Sequence, residues 1–202
     1  ALNAETGREV WRYPSPGQEK LGKIWSTPAV STDTVFFGTL DHKVYAVDIA
    51  TGTQKWEAVL GGAIAAEPLV IGGRMYLGSF DRHFYALDAA TGAEVWRFDG
   101  AGSWYWSHAI ADQDTLYAPS LDGNLYALEL TTGRLKWTLE TEGPIVGSPV
   151  IVFDMIAVPL GAPRSFAVVA TPAYLEEHGR PAAPPDLLAH QCIRVRLPNG
   201  AE

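Results

Sequence analysis

Few residues in this chain are placed to do chemistry. Glu67 and His108 break an otherwise regular series. Aligning Pro28, Pro68 and Pro149 puts His108 where the others carry proline, and the position before it holds Thr27, Glu67, Ser107 and Ser148. The first strand of each unit is expected to line a central channel, so Glu67 and His108 can point into it as a channel binding site, and Trp104, Tyr105 and Trp106 would set an aromatic lip beside them. The plainer reading is a solvated Glu67, with the aromatics padding a gap between packed units. The spacing leaves both open. Asp48, Asp88 and Glu129 recur once per unit in a turn phrase, where a carboxylate anchors backbone N–H groups. His42 and His83 lie in equivalent hairpins beside Asp41 and Asp81, a unit apart and too distant to share one metal ion. Cys192 is the single cysteine, so neither an internal disulfide nor a cysteine-based metal site can form. No phosphate loop, nucleophile elbow or zinc spacing occurs.

The elements that must position these residues repeat. Residues 46–56 read AVDIATGTQKW and return at 86–96 as ALDAATGAEVW. A third copy at 127–137 has Glu129 for the aspartate, and a fourth at 1–11 has Asn3. Gly7, Gly52, Gly92 and Gly133 of the phrase follow one another at intervals of 45, 40 and 41 residues. Between phrases lie short runs rich in Val, Ile, Tyr and Phe, separated by turn residues. Four short antiparallel strands per period describe one propeller blade. The reading is mainly β: a partial propeller of three to four four-stranded blades, then a short α/β segment. Trp11, Trp56, Trp96 and Trp137 close the phrases on the outer strands. They are expected to dock blade on blade, while the phrase glycines supply turns with positive φ.

The chain has 202 residues, is 47% hydrophobic and 19% charged, and carries a net charge of −8. With no basic stripe, nucleic acid is not expected to bind this chain alone. No apolar run is long enough for a transmembrane segment. The chain opens inside a copy of the phrase, so the start of the parent gene product is expected to lie upstream, and the lack of a visible signal peptide carries no information.

The phrase is similar to the tryptophan-docking motif of the pyrroloquinoline-quinone-like propeller repeats, and the similarity covers residues 1–152. This family includes quinoprotein alcohol dehydrogenases and a propeller lipoprotein of outer-membrane assembly. The resemblance implies an extracytoplasmic setting, periplasmic or cell-surface. Its dehydrogenase branch implies pyrroloquinoline quinone and a calcium site built from Glu, Asn and Asp, often beside a vicinal cysteine pair. The cysteine pair is absent here, and no calcium constellation is recognisable. The expected function is therefore a non-catalytic scaffold for a protein or peptide partner, with no cofactor. The alternative is a remnant of a quinone-dependent dehydrogenase. Members of the family close more blades than this chain holds. An arc leaves apolar blade faces open at both ends, which predicts self-association or a covering partner.

After Val152 the text changes, and no tryptophan follows. Residues 164–170 read as a strand, 173–178 as a helix with Thr171 as its N-cap, 185–190 as a second helix and 192–197 as a second strand. The runs DMIAV (154–158), AVVATPAYL (167–175), HGRP (178–181) and DLLAHQCI (186–193) resemble part of the effector-binding domain of LysR-type transcriptional regulators. That resemblance implies a cytoplasmic origin and a third function, an effector-binding fragment. The expected organisation is thus 1–152 propeller and 153–202 regulator-like, a chimera joined near Phe153.

Overall fold

The repeated runs become strands because their β-branched and aromatic residues fill both faces of a sheet that is buried on two sides. The computed structural model describes residues 1–17, 20–153, 155–160, 166–170, 176 and 177. The first blade holds β1 (Ala29–Ser31), β2 (Thr34–Gly38), β3 (Lys43–Asp48) and β4 (Gln54–Val59). The second holds β5 (Leu69–Ile71), β6 (Arg74–Gly78), β7 (Phe84–Asp88) and β8 (Glu94–Phe98). The third holds β9 (Ile110–Asp112), β10 (Thr115–Pro119), β11 (Asn124–Glu129) and β12 (Leu135–Glu140). Each is an antiparallel meander in chain order. The fourth sheet has three strands, β13 (Val150–Val152), β14 (Met155–Pro159) and β15 (Phe166–Ala170).

This fourth sheet runs across the position near Phe153 at which the composition changes. Part of the text that resembles the regulator supplies its second and third strands, since apolar runs such as 155–158 and 166–170 can pair without the repeat phrase. The expected strand at 164–170 is present as β15. Of the expected helix at 173–178, Glu176 and Glu177 are helical. The rest of that helix, its cap Thr171, the second helix and the last strand lie outside the described residues.

Burial shows how the blades stack. Middle strands bury both faces, as in β3 and β11, whereas the outer strand β4 turns chiefly Trp56 inward. Phe36, Val44, Ala46 and Trp56 of the first blade form one apolar layer with Ile64, Met75, Leu77 and Tyr85 of the second. Tyr76, Phe84 and Trp96 repeat this against Tyr105, Leu116 and Tyr126 of the third. Ala46, Ala86 and Ala127 lie directly opposite Trp56, Trp96 and Trp137 in the ladder. Cross-strand partners share a face, so the small alanine leaves room for the indole.

The turn phrase is held by its carboxylate. Asp48 Oδ1 accepts from the backbone N–H groups of Ala50 and Thr51 and from the Thr51 hydroxyl, and Asp88 does the same with Ala90 and Thr91. Asn3 makes the same set with Glu5 and Thr6. The threonine hydroxyl first, then the backbone donors, hold the Asp48 and Asp88 carboxyls below their ordinary value. A carboxyl depressed in the folded state adds stability above its unfolded pKa, about 3.9, and that contribution fades as pH falls through the folded value. The double variant Asp48→Asn/Asp88→Asn keeps the acceptor, as Asn3 does, but removes the titration. Its urea midpoint should fall less than the wild type's between pH 7 and pH 3. An identical acid loss in both proteins would assign it to other carboxylates.

The expectation of an open apolar face at the start of the arc is corrected. Trp11, Tyr13 and Leu21 pack on Phe37, Tyr45 and Val47 of the first blade, with Tyr13 edge-on to Phe37 at 6.1 Å and 5.9 Å from Tyr45. The N-terminal segment brings two large rings where a full preceding blade would bring whole strands. What meets the far face of the fourth sheet lies outside the described residues.

Candidate functional site

Each blade is led in by an extended segment that ends in its first strand. Ala29, Leu69, Ile110 and Val150 pair with the third residue of the second strand, Phe36, Tyr76, Tyr117 and Ala157. These four first-strand residues are therefore equivalent, and the segments before them align by counting back. Ala109, not His108, stands level with Pro28, Pro68 and Pro149, which corrects the proline-based alignment by one residue. The third period carries no proline there to mark the level. His108 instead joins Thr27, Glu67 and Ser148 in one tier. The tier two residues upstream is Trp25, Ala65, Trp106 and Val146.

Neighbouring residues of these segments differ sharply in burial, although Ile24 in the first is 46% exposed. Ile64, Tyr105 and Ile145 are fully buried, and Ser26, Ala66 and Ser107 nearly so. Ile64 and Tyr105 press on Gly38 and Gly78, where an added Cβ would fall 2.2 and 2.1 Å from their side-chain carbons. The other parity is open: Trp25 is 59% exposed, Trp104 48% and Trp106 41%. The hairpins after the second strands fix these segments in place. Leu121 N–H donates to Trp104 O at 2.9 Å, and Phe80 N–H to Ala63 O at 3.0 Å. Asp122 Oδ2 accepts from Gly102 N–H at 2.6 Å and from the Tyr126 hydroxyl at 2.8 Å. Burial alone would raise the Asp122 carboxyl, but these donors hold it below its ordinary value. In the second blade, burial and the hydrogen bond to Asp81 push the Tyr85 phenol up to about 12.

The open parity assembles one surface. Phe80 stacks on Trp104 at 4.8 Å and on Trp106 at 5.7 Å. Trp25 of the first blade meets Trp106 of the third edge-on at 5.9 Å, with the second blade's member of that tier, Ala65, small between them. In the next tier His108 Nδ1 lies 2.7 Å from Ser148 Oγ and 4.0 Å from Glu67 Oε2. Of the residues singled out from the sequence, Trp104 and Trp106 come together through Phe80, and Glu67 and His108 come together in the neighbouring tier. Trp25, Phe80, Ser148 and Ala65 complete the set. The signal that could have found Trp25 was the period-two spacing with Thr27, repeated in Trp106 and His108. Tyr105 is not part of the lip. Its ring is buried against Phe84, and its hydroxyl has no hydrogen-bond partner among the described residues.

The tier does not have the geometry of a relay. In a nucleophile–base–acid triad, the nucleophile and the acid engage opposite ring nitrogens of the histidine. Here Ser148 and Glu67 both approach Nδ1. A quinone–calcium site of the kind the resemblance implies also finds no fit. The tier offers a single carboxylate, and among the described residues no three His, Cys, Asp or Glu side chains gather to hold a metal. Asp48, Asp88 and Glu129 are engaged in their own turns. His83 faces Asp81 in its hairpin, Nδ1 to Oδ2 at 3.4 Å, whereas His42 is exposed at a turn with φ 72°.

The docking residues form a separate ladder. Trp11 lies on Gly52, Trp56 on Gly92 and Trp96 on Gly133, where an added Cβ would stand 2.7, 2.6 and 2.5 Å from the indole. Each of these indole N–H groups donates across to the next blade, to Ile49 O, Ala89 O and Leu130 O. Among the described residues the ladder stops at both ends. Gly7 has nothing within 4 Å. Trp137 packs on Tyr117 and makes no corresponding hydrogen bond among the described residues.

A family profile described as outer membrane protein assembly factor BamB matches residues 1–104 and again 85–169. The chain is 33% identical over 73 residues to the outer membrane protein assembly factor BamB of Xanthomonas campestris, a match to 34% of this chain and 18% of that protein. The crystal structure of BamB from Moraxella catarrhalis superposes with a TM-score of 0.61 at 24% identity, covering 68% of this chain and 44% of that one. A stretch of 47 residues is 53% identical to a transcriptional regulator of Pseudomonas aeruginosa, 23% of this chain and 15% of that protein. The chain thus spans less than half the length of each of these relatives.

Proposed function

This chain belongs to the family of the outer membrane protein assembly factor BamB, and on that footing we propose that it is a non-catalytic propeller scaffold that binds a protein partner at the Trp25–Phe80–Trp104–Trp106 surface. The carrying observation is that surface: four large aromatic side chains, three of them tryptophans at least 41% exposed, converge from three blades. Exposed aromatic clusters on a rigid frame mark interaction sites. The family's assembly role supports a partner that is a protein, and an extracytoplasmic, outer-membrane-associated setting. No helix of the described residues is long and apolar enough to cross a membrane. Residues 153–202 are read as a segment of regulator ancestry joined near Phe153, whose first strands were recruited into the fourth sheet.

The test is a displayed peptide library selected on the wild-type chain. Selected peptides should lose at least tenfold in affinity for Trp25→Ala/Trp106→Ala. Retained binding would move the partner site elsewhere. In parallel, titration with pyrroloquinoline quinone and calcium should give no saturable spectral change, and a saturable one would favour the dehydrogenase reading.

A further inference from the structure

We propose that the partner presents an arginine to this surface, its guanidinium seated between the Glu67 carboxylate and the indole of Trp106. The inference rests on the scaffold reading and names the chemistry of its partner. Several acids of the blades are held in place by donors of their own, and Glu67 is not among them. Asp33 and Asp114 pair with Lys55 and Lys136 at 2.8 and 2.7 Å, and Glu57 with Lys43 at 3.2 Å. Asp48, Asp88 and Asp122 are filled by hydroxyl and backbone donors. Glu67 has no lysine or arginine beside it among the described residues. Its one basic neighbour, His108, stands 4.0 Å away and shares the facing nitrogen with Ser148. A half-exposed carboxylate is thereby left without a lysine or arginine counter-charge among the described residues.

The aromatic geometry selects among cations. Trp106 lies two residues before His108 on the same lead-in segment, and His108 in turn faces Glu67. Phe80 stacks on one side of the Trp106 ring at 5.7 Å, and Trp25 meets it in a T-shaped contact at 5.9 Å. A planar guanidinium can stack on an indole and fork two N–H donors to a carboxylate at once, whereas an ammonium offers only a point charge. The chain's net charge of −8 draws a cationic partner toward it. A neutral sugar or a purely apolar segment would use the rings but leave Glu67 without a role.

The experiment uses the full chain and a blocked Gly-Arg-Gly peptide, with citrulline and lysine versions, read by the shifts of the indole N–H signals. The arginine peptide should bind at least tenfold more tightly than the citrulline one and severalfold more tightly than the lysine one. Glu67→Gln should bring arginine and citrulline to parity, and Trp106→Ala should abolish the indole shifts. Equal binding of arginine and citrulline, or an unchanged ratio in Glu67→Gln, overturns the inference. If library-selected peptides still depend on Trp25 and Trp106, the scaffold reading survives that failure. If no selected peptide does, both fall.

Discussion

Gly92→Ala should destabilise the protein by about 3–4 kcal/mol, the scale of a large-to-small core substitution, although it only adds one methyl group. Two effects combine. Gly92 has a φ of +75°, a backbone state that costs an L side chain about 1 kcal/mol. Its new Cβ would also stand 2.6 Å from the Trp56 ring, so the indole must leave its seat and lose the hydrogen bond to Ala89 O. A buried tryptophan covers roughly 200 Å², at most about 5 kcal/mol at about 25 cal/mol/Å². Gly7→Ala is the internal control. It has the same turn and a φ of +67° but nothing within 4 Å, so only the backbone cost of about 1 kcal/mol remains. Trp96→Ala should likewise cost about 3–5 kcal/mol and Trp137→Ala about 2 kcal/mol, because the last indole is half-buried and has no glycine seat among the described residues. Urea unfolding of the four variants checks the order. Equal losses for Gly7→Ala and Gly92→Ala would show that the turns, not the docked indoles, set the stability.

The ladder was legible in the sequence because a rare residue recurs at a fixed distance from a turn glycine, and each copy needs the same neighbours. Alanine, the carboxylate or Asn3, and the turn glycine recur in four copies of the phrase, and three of those glycines lie beneath an indole. The binding surface was less legible because it is made from what differs between blades. Glu67 and His108 stood out as departures, yet an alignment resting on proline put His108 one level off, since the third blade has Ala109 there. Only ladder register, Ile110 against Tyr117, restores the tier. Phe80 belongs to a hairpin of the second blade, and its stacking on Trp104 and Trp106 depends on the angle between blades, which no spacing encodes. The fourth sheet was hidden for another reason. Pairing asks only for apolar, β-branched backbone partners, so β14 and β15 form without any of the phrase that marks the other blades.

Deleting residues 1–17 should convert a covered blade face into a sticky one. Phe37, Tyr45 and Val47 are 8%, 4% and 0% exposed, and the groups packed over them include Trp11 and Tyr13. The segment is anchored besides by the Trp11 indole N–H on Ile49 O at 2.8 Å and by the Tyr13 hydroxyl on Gln54 Oε1. Its loss forfeits the burial of two large rings, about 4 kcal/mol after discounting for a compact unfolded state. For a chain of this length that lowers the melting temperature by about 10 °C. The uncovered aromatics form a contiguous apolar patch, and such patches drive association. Sedimentation velocity should show a monomer for the full chain and concentration-dependent oligomers for the truncated one. The double variant Trp11→Ala/Tyr13→Ala, which keeps the backbone of the segment, should show most of the same loss in melting temperature. A truncated chain that stays monomeric with an unshifted melting temperature would mean that the segment lies on the blade without closing it.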